Sequence, residues 1–251
     1  MSFSHIAIAF SLVCLCALLS WKKGHGQEKD LLISALRAVV QLLVLGYALS
    51  WIFAHNTLIV SVLISSLMTF NSAVHSRSRV KSKYKGLFLD NLFATVMAIW
   101  PMAFVGSLLL GQEPWWSVEG FLPLVGILLG NSVNGISMGI DHFTNGIREK
   151  KEEVLEWLSL GATRIEATSE IFRRSTRIAL TPIMNSMATM GIVSIPGTMT
   201  GQILGGSSPL LAAYTQMIIV LLISAGVYLG VILGLYLARK RLFNERGQPC
   251  F

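Results

Sequence analysis

Charged side chains are scarce in this sequence: only 13% of its 251 residues are Asp, Glu, Lys or Arg, whereas 53% are hydrophobic. A soluble domain needs about a quarter charged residues to cover its surface, so water is not the main solvent here. Cysteine is equally sparse. Cys14, Cys16 and Cys250 make no disulfide framework; Cys14 and Cys16, two apart on an apolar helix, point to different sides and read as small packing residues. Also lacking are a Gly-x-x-x-x-Gly-Lys-Ser/Thr phosphate loop, a His-Glu-x-x-His pair and a Ser, His and Asp set at hydrolase spacing. Unaided ATP hydrolysis and the common hydrolytic chemistries are thereby excluded. The net charge of +7 comes without a compact basic and aromatic module, so no nucleic-acid partner is expected; Lys and Arg in cytoplasmic loops make membrane proteins basic by default.

What is present is a series of apolar runs long enough, or nearly so, to cross a hydrocarbon core of about 30 Å. They are His5 to Trp21, Leu31 to Phe53, Leu58 to Val74, Leu87 to Leu110, Phe121 to Ile140, Ile183 to Leu204 and Leu210 to Leu237. The expected fold is therefore all-α, a single polytopic membrane domain over residues 1–251 with about seven transmembrane helices. Every one of the 20 Lys and Arg residues lies in alternate connections. Lys22, Lys23, Lys29 and Arg37 flank the first, Arg77 to Lys85 the second, Arg148 to Arg177 the third, and Arg239 to Arg246 form the tail. The positive-inside rule then sets the N-terminus outside and the C-terminus in the cytoplasm, as a multi-pass protein of the cell's inner (plasma) membrane in contact with lipid. Trp51, Trp115, Trp116 and Tyr214 fall near the outer boundary and Trp21, Tyr84 and Tyr236 near the inner one, where amphipathic rings collect. Trp100 falls in mid-span and is expected to pack between helices.

The cytoplasmic segment at 144–181 is too polar to cross and too long for a simple turn. Glu149 to Leu160 has good helix formers, with Val154, Leu155 and Leu158 at helical spacing, and Gly161 supplies a stop. Thr163, Arg164, Ile165 and Glu166 then spell a capping box that starts a second helix. A helix, a Gly-Ala-Thr turn and a helix can press into a groove on another protein as a rigid unit; an amphipathic hairpin lying on lipid headgroups has the same pattern.

Leu158-Ser-Leu-Gly-Ala-Thr163, with Glu156 before it, resembles the coupling loop of ABC-transporter permeases. The whole chain resembles the FetB-type family, bacterial iron-export ABC permeases related to plant aluminium-tolerance proteins. The segments that carry the resemblance are Arg37-Ala-Val-Val-Gln-Leu-Leu-Val-Leu-Gly-Tyr47, Pro123 with Gly130-Asn131, Leu158 to Thr163, and Gly191-Ile-Val-Ser-Ile-Pro-Gly-Thr-Met-Thr-Gly-Gln-Ile-Leu-Gly-Gly206. It implies a permease that pairs with itself and with a separate ABC ATPase subunit. That partner would bind ATP and Mg while this chain binds no cofactor, and metal export would be the outcome. Coupling to the ATPase would fall to Glu156, Leu158, Leu160, Gly161, Ala162, Thr163 and Arg164. Export of another solute, such as a nucleotide sugar, and an ATP-independent ion-coupled carrier are the competing functions; the scarcity of mid-membrane carboxylates and His opposes the carrier.

Polar side chains in hydrocarbon are costly unless they face other helices or an aqueous route. By that rule Gln41, Asn71, Asn131, Asn134, Asn185 and Gln202 are route candidates, beside the flexible stretch around Pro196, Gly197 and Met199, whose freed carbonyls can coordinate a cation. Close packing explains the Gly126/Gly130 and Gly135/Gly139 pairs equally well, and Asp90 is within reach of basic residues at the inner boundary. Met184, Met187 and Met190 recur every three residues, as core packing or as soft ligands, whereas ferrous iron would favour oxygen or nitrogen. Asn185, Gln202 and Asp141, with Met187, are the metal-contact candidates.

Overall fold

The computed structural model of the chain describes residues 3–244; Cys250 and Arg246 lie outside them. Among the described residues the chain forms ten helices joined by turns. They fall into two compact units, Met1–Asn56 and Thr57–Phe251. The first unit is a pair of helices, α1 (Phe3–Lys22) and α2 (Glu28–Ala54), packed on each other across a short turn that holds Lys23. Ile8, Leu12 and Leu19 of α1 and Leu42 and Val44 of α2 are exposed on the unit's surface, and among its described apolar side chains only Ala17 and Ile52 are buried. Apolar residues facing outward on helices that satisfy their own backbone fit lipid as the solvent.

The second unit is built around α5 (Val118–Glu149), which is wrapped by α3 (Leu58–Arg79), α4 (Leu87–Leu109), α8 (Ser169–Thr189) and α10 (Pro209–Arg241). At about 1.5 Å per residue, the 32 residues of α5 exceed what the hydrocarbon requires, so the helix continues past the span. Small residues set its contacts. A Cβ on Gly135 would come within 2.8 Å of Val227, and one on Gly139 within 3.2 Å of Ala179, so these two positions let α8 and α10 approach closely. The register is fixed by polar pairs: Arg79 donates to Asn134 Oδ1, the Lys81 amide donates to Asp141 at 2.7 Å, and Ser82 donates to Asn145. Trp100 does pack between helices, donating to Thr69 at 3.2 Å with its ring edge-on to Phe121.

Among the described residues six helices, α1 to α5 and α10, are long and apolar enough to cross a membrane. The seventh expected span is not one helix. Between Ile183 and Leu204 the chain leaves α8 at Thr189, makes a turn in which the Gly191 amide donates to Ser194 at 2.8 Å, and enters a short α9 (Gly197–Leu204) after Pro196. Gly191 takes φ +83, a left-handed value open to glycine, and Pro196 forces the residue before it out of the helical region. Only α8 and α9 together run the length of the unit. Ile171 of α8 packs on Gly146 near the end of α5, whereas Thr198 of α9 hydrogen-bonds Gln216 near the start of α10. Every described Lys and Arg of this unit lies toward the end where α3 and α10 finish and α8 begins; the opposite end has none.

Candidate coupling surface and cargo route

At the basic end the chain forms the expected pair of short helices, with two differences. α5 carries through to Glu149, so α6 (Lys151–Ser159) begins after it rather than at that residue; the second helix splits into α7 (Arg164–Ala167) and α8 at Thr168. Thr168 is buried and its hydroxyl donates to the Arg164 carbonyl at 2.7 Å, a bond that competes with the helical ladder. Gly161 closes α6 at φ +92. The capping box is fully formed: Glu166 N donates to Thr163 Oγ1, and the Glu166 carboxylate accepts from the Thr163 amide at 2.7 Å and its hydroxyl at 2.8 Å. Those bonds hold the Glu166 carboxyl below its ordinary range. Lys150 joins the base of α6 to that of α8, 3.1 Å from Glu153 and 3.8 Å from Glu170, and the Glu153 bond raises its ammonium above the ordinary value.

A lowered folded-state value means that Glu166 stabilises the turn fully above the usual carboxylate range and loses that contribution as pH falls through the lowered value. Hydrogen exchange over residues 160–168 is expected to be slower in the wild type than in Glu166→Ala at neutral pH, with the difference vanishing in acid. A difference unchanged by acid would remove the assignment.

The side chains divide by direction. Val154 is buried and Leu158 half-buried against the core of the unit, while Trp157, Leu160 and Ile165 face outward at 53, 76 and 59% exposure. They stand along a groove of about 660 Å³ that also takes in Gly161, Ala162 and Glu166. Of the expected coupling residues, Glu156 is exposed and Arg164 half-buried. Trp157 was not among them, although its position three residues before Leu160 puts both on one helix face.

The route candidates scatter. Gln41 is exposed on α2 of the first unit. In the second, Asn71, Asn131 and Asn134 are exposed on α3 and α5 and donate to carbonyls one turn back. Asn185 is exposed on α8, as is Gly197 at the start of α9; Pro196 and Met199 are half-buried. Gln202 lines a groove of about 450 Å³ at the end without basic residues, together with Gln112, Glu119, Pro123, Thr198 and Thr215. The four metal-contact candidates do not converge. Asp141 lies 18 residues along α5 from Pro123, about 27 Å from the level of Gln202, and the Met187 thioether accepts a 2.8 Å bond from Ser224. Among the described residues no three His, Cys, Asp or Glu stand together as a metal site.

Two features escaped the pattern of long polar side chains. Glu119 and Gln112 lie in the groove with Gln202. Ser61, Ser65, Thr69, Ser72 and Ser76 recur along α3 every three or four residues and are all buried. Serine reads as neutral in a hydropathy profile, so only its helical spacing could have shown this seam.

Together the six long apolar helices and the one-sided charge define a multi-pass helical membrane protein. The chain matches the uncharacterised protein family UPF0014 over residues 3–243 and belongs to it, as the resemblance had implied. It is 30% identical to the probable iron export permease protein FetB of Escherichia coli, over 97% of this chain and 93% of that protein. It is also 30% identical to the membrane protein YjkA of Bacillus subtilis, over 99% and 98% of the two chains. A plant relative, the protein ALUMINUM SENSITIVE 3 of Arabidopsis thaliana, is 27% identical over 96% of this chain and 88% of its own length. No solved structure matches the chain.

Proposed function

We propose that the chain is the permease subunit of an ATP-driven exporter of iron or another metal ion, worked by a separate ABC ATPase that binds ATP and Mg. The observation that carries the proposal is the outward row of Trp157, Leu160 and Ile165 on a capped helix–turn–helix. Exposed large apolar residues around a groove mark a docking surface. In this reading the ATPase grips the turn at Gly161, and because α7 leads through Thr168 straight into α8, force on the turn reaches the broken crossing. With the basic end in the cytoplasm, both the coupling segment and the ATPase lie on one side.

The export direction and the metal cargo follow the name of the FetB relative. The whole chain acts as one permease, and two copies form the working unit. Its support is the face of α8: Asn185 and Ser186 are exposed on a segment between the two ends of the unit, where lipid would leave their side chains unmatched, beside Thr189 and Thr200, which are exposed but donate to the Asn185 and Pro196 carbonyls. A second copy would cover that face and enclose a route lined by amide and hydroxyl oxygens, donors that suit a hard cation better than a soft one. Such a route moves cargo only if the two conformations differ in affinity for it.

Vesicles holding the purified chain with its ATPase are expected to move ferrous iron only when ATP is supplied. Equal movement without the ATPase or without ATP would count against the proposal.

A further inference from the structure

Alongside the basic end, α8 and α10 line a second groove of about 700 Å³, which meets the docking row at Ile165 and otherwise runs away from it. Its mouth is formed by Arg173, Arg177 and Arg239, and its wall by Phe172, Thr176 and Ile232. Arg173 and Arg177 are four residues apart, so both point from one face of α8 despite their like charge. Arg239 is held with its guanidinium carbon 5.0 Å from the centroid of the Phe172 ring and 5.7 Å from that of Tyr236. The ring faces keep the cation aimed while leaving its N–H groups free to donate. None of the three arginines has a carboxylate partner among the described residues; the ion pairs at this end take Lys150 and Arg241 instead.

Three guanidiniums gathered without an internal anion call for an external one. Depth selects which. Ile232 lies seven residues before Arg239 in α10, about 10 Å further into the span. The groove therefore joins a cationic mouth at the membrane boundary to an apolar wall within the hydrocarbon. A soluble phosphate would fill only the mouth; an acidic peptide would leave polar backbone against Ile232. An anionic phospholipid matches both parts, its phosphate accepting from the arginines and an acyl chain lying along Phe172 and Ile232.

We propose that this groove is a binding site for an anionic phospholipid that bridges the first turns of α8 and the last turn of α10. The site stands independently of the ATPase, since its binding requires no transport.

Native mass spectrometry of the purified chain with phosphatidylglycerol and with phosphatidylcholine reads the site directly. The wild type is expected to retain phosphatidylglycerol about tenfold more strongly, and the combined variant Arg173→Ala/Arg177→Ala/Arg239→Ala to lose the preference. The control Lys83→Ala/Lys85→Ala, which lowers the charge of the same end outside the groove, is expected to keep it. Ile232→Trp, which fills the apolar wall with all three arginines in place, is expected to weaken retention, and so tests the site even if the triple variant fails to fold. Equal retention of the two lipids, or a preference surviving in both groove variants, would overturn the proposal. Displacement of the lipid by millimolar inorganic phosphate would overturn it in favour of a soluble anion.

Discussion

Arg241→Met is expected to destabilise the protein by about 3 kcal/mol, the low end of the cost of breaking a buried ion pair, because Arg241 is itself 44% exposed. Its Nε donates to Asp90 Oδ1 at 2.7 Å across 151 residues of sequence, tying the last turn of α10 to the first turn of α4. Asp90 is almost wholly enclosed, and Tyr84 stands beside it, with burial first and the Asp90 charge second pushing the phenol well above its ordinary value. Gly86 completes the contact: it takes φ +95, and a Cβ there would fall 2.7 Å from the guanidinium. Removing the arginine leaves a carboxylate without a countercharge where water does not reach. Removing the acid with Asp90→Asn leaves a long cation that can turn outward to the headgroups, so the two variants should not be equal.

The measurement is the thermal midpoint in detergent. Arg241→Met is expected to fall on the order of 6–12 °C, with Asp90→Asn milder and the double variant recovering part of the loss. An unchanged midpoint, or a larger loss in Asp90→Asn, would show that the pair does not hold α4 to α10.

That pair was half legible in the sequence, because an acid one turn inside a span must find a cation at its boundary. Which cation it finds depends on how α10 packs, and no local pattern reveals that. The same division runs through the fold. Hydropathy marks the membrane-crossing runs, and the Thr163/Glu166 box states its own geometry because each partner lies within one turn of the other. The break at Thr189 to Pro196 was visible as Pro196 and its glycines but begins further upstream, where Gly191 takes a left-handed φ of +83 that turns the chain out of α8. Thr168 gave no warning at all: a threonine that bonds back to a carbonyl looks, in sequence, like any other helical threonine. The scattering of Asn185, Gln202, Asp141 and Met187 teaches the same lesson for the site. Residue chemistry can nominate donors, but only packing decides which of them face one another.

Leu160→Asp is expected to lower ATP-driven transport by an order of magnitude or more, with the ATPase subunit alone still hydrolysing ATP. The size follows from the environment an anchor residue meets, where truncation alone costs ~2 kcal/mol or more and a carboxylate would also be stripped of water. Leu160 suits the test better than Gly161. Although a Cβ at Gly161 would meet nothing within 4 Å, its φ of +92 strains any other residue, so Gly161→Arg would mix a bent turn with a blocked surface. Leu160 sits at φ −78 and is 76% exposed, so its replacement leaves the fold of this chain alone. Leu158→Asp is the counterpart, since that side chain packs inward and its loss should unfold the hairpin rather than only uncouple it. Co-purification with the ATPase separates the two outcomes. A Leu160→Asp chain that is folded, membrane-inserted and still bound and driven at the wild-type rate would place the docking surface elsewhere. A folded chain that no longer holds the ATPase fixes it on the row of Trp157, Leu160 and Ile165.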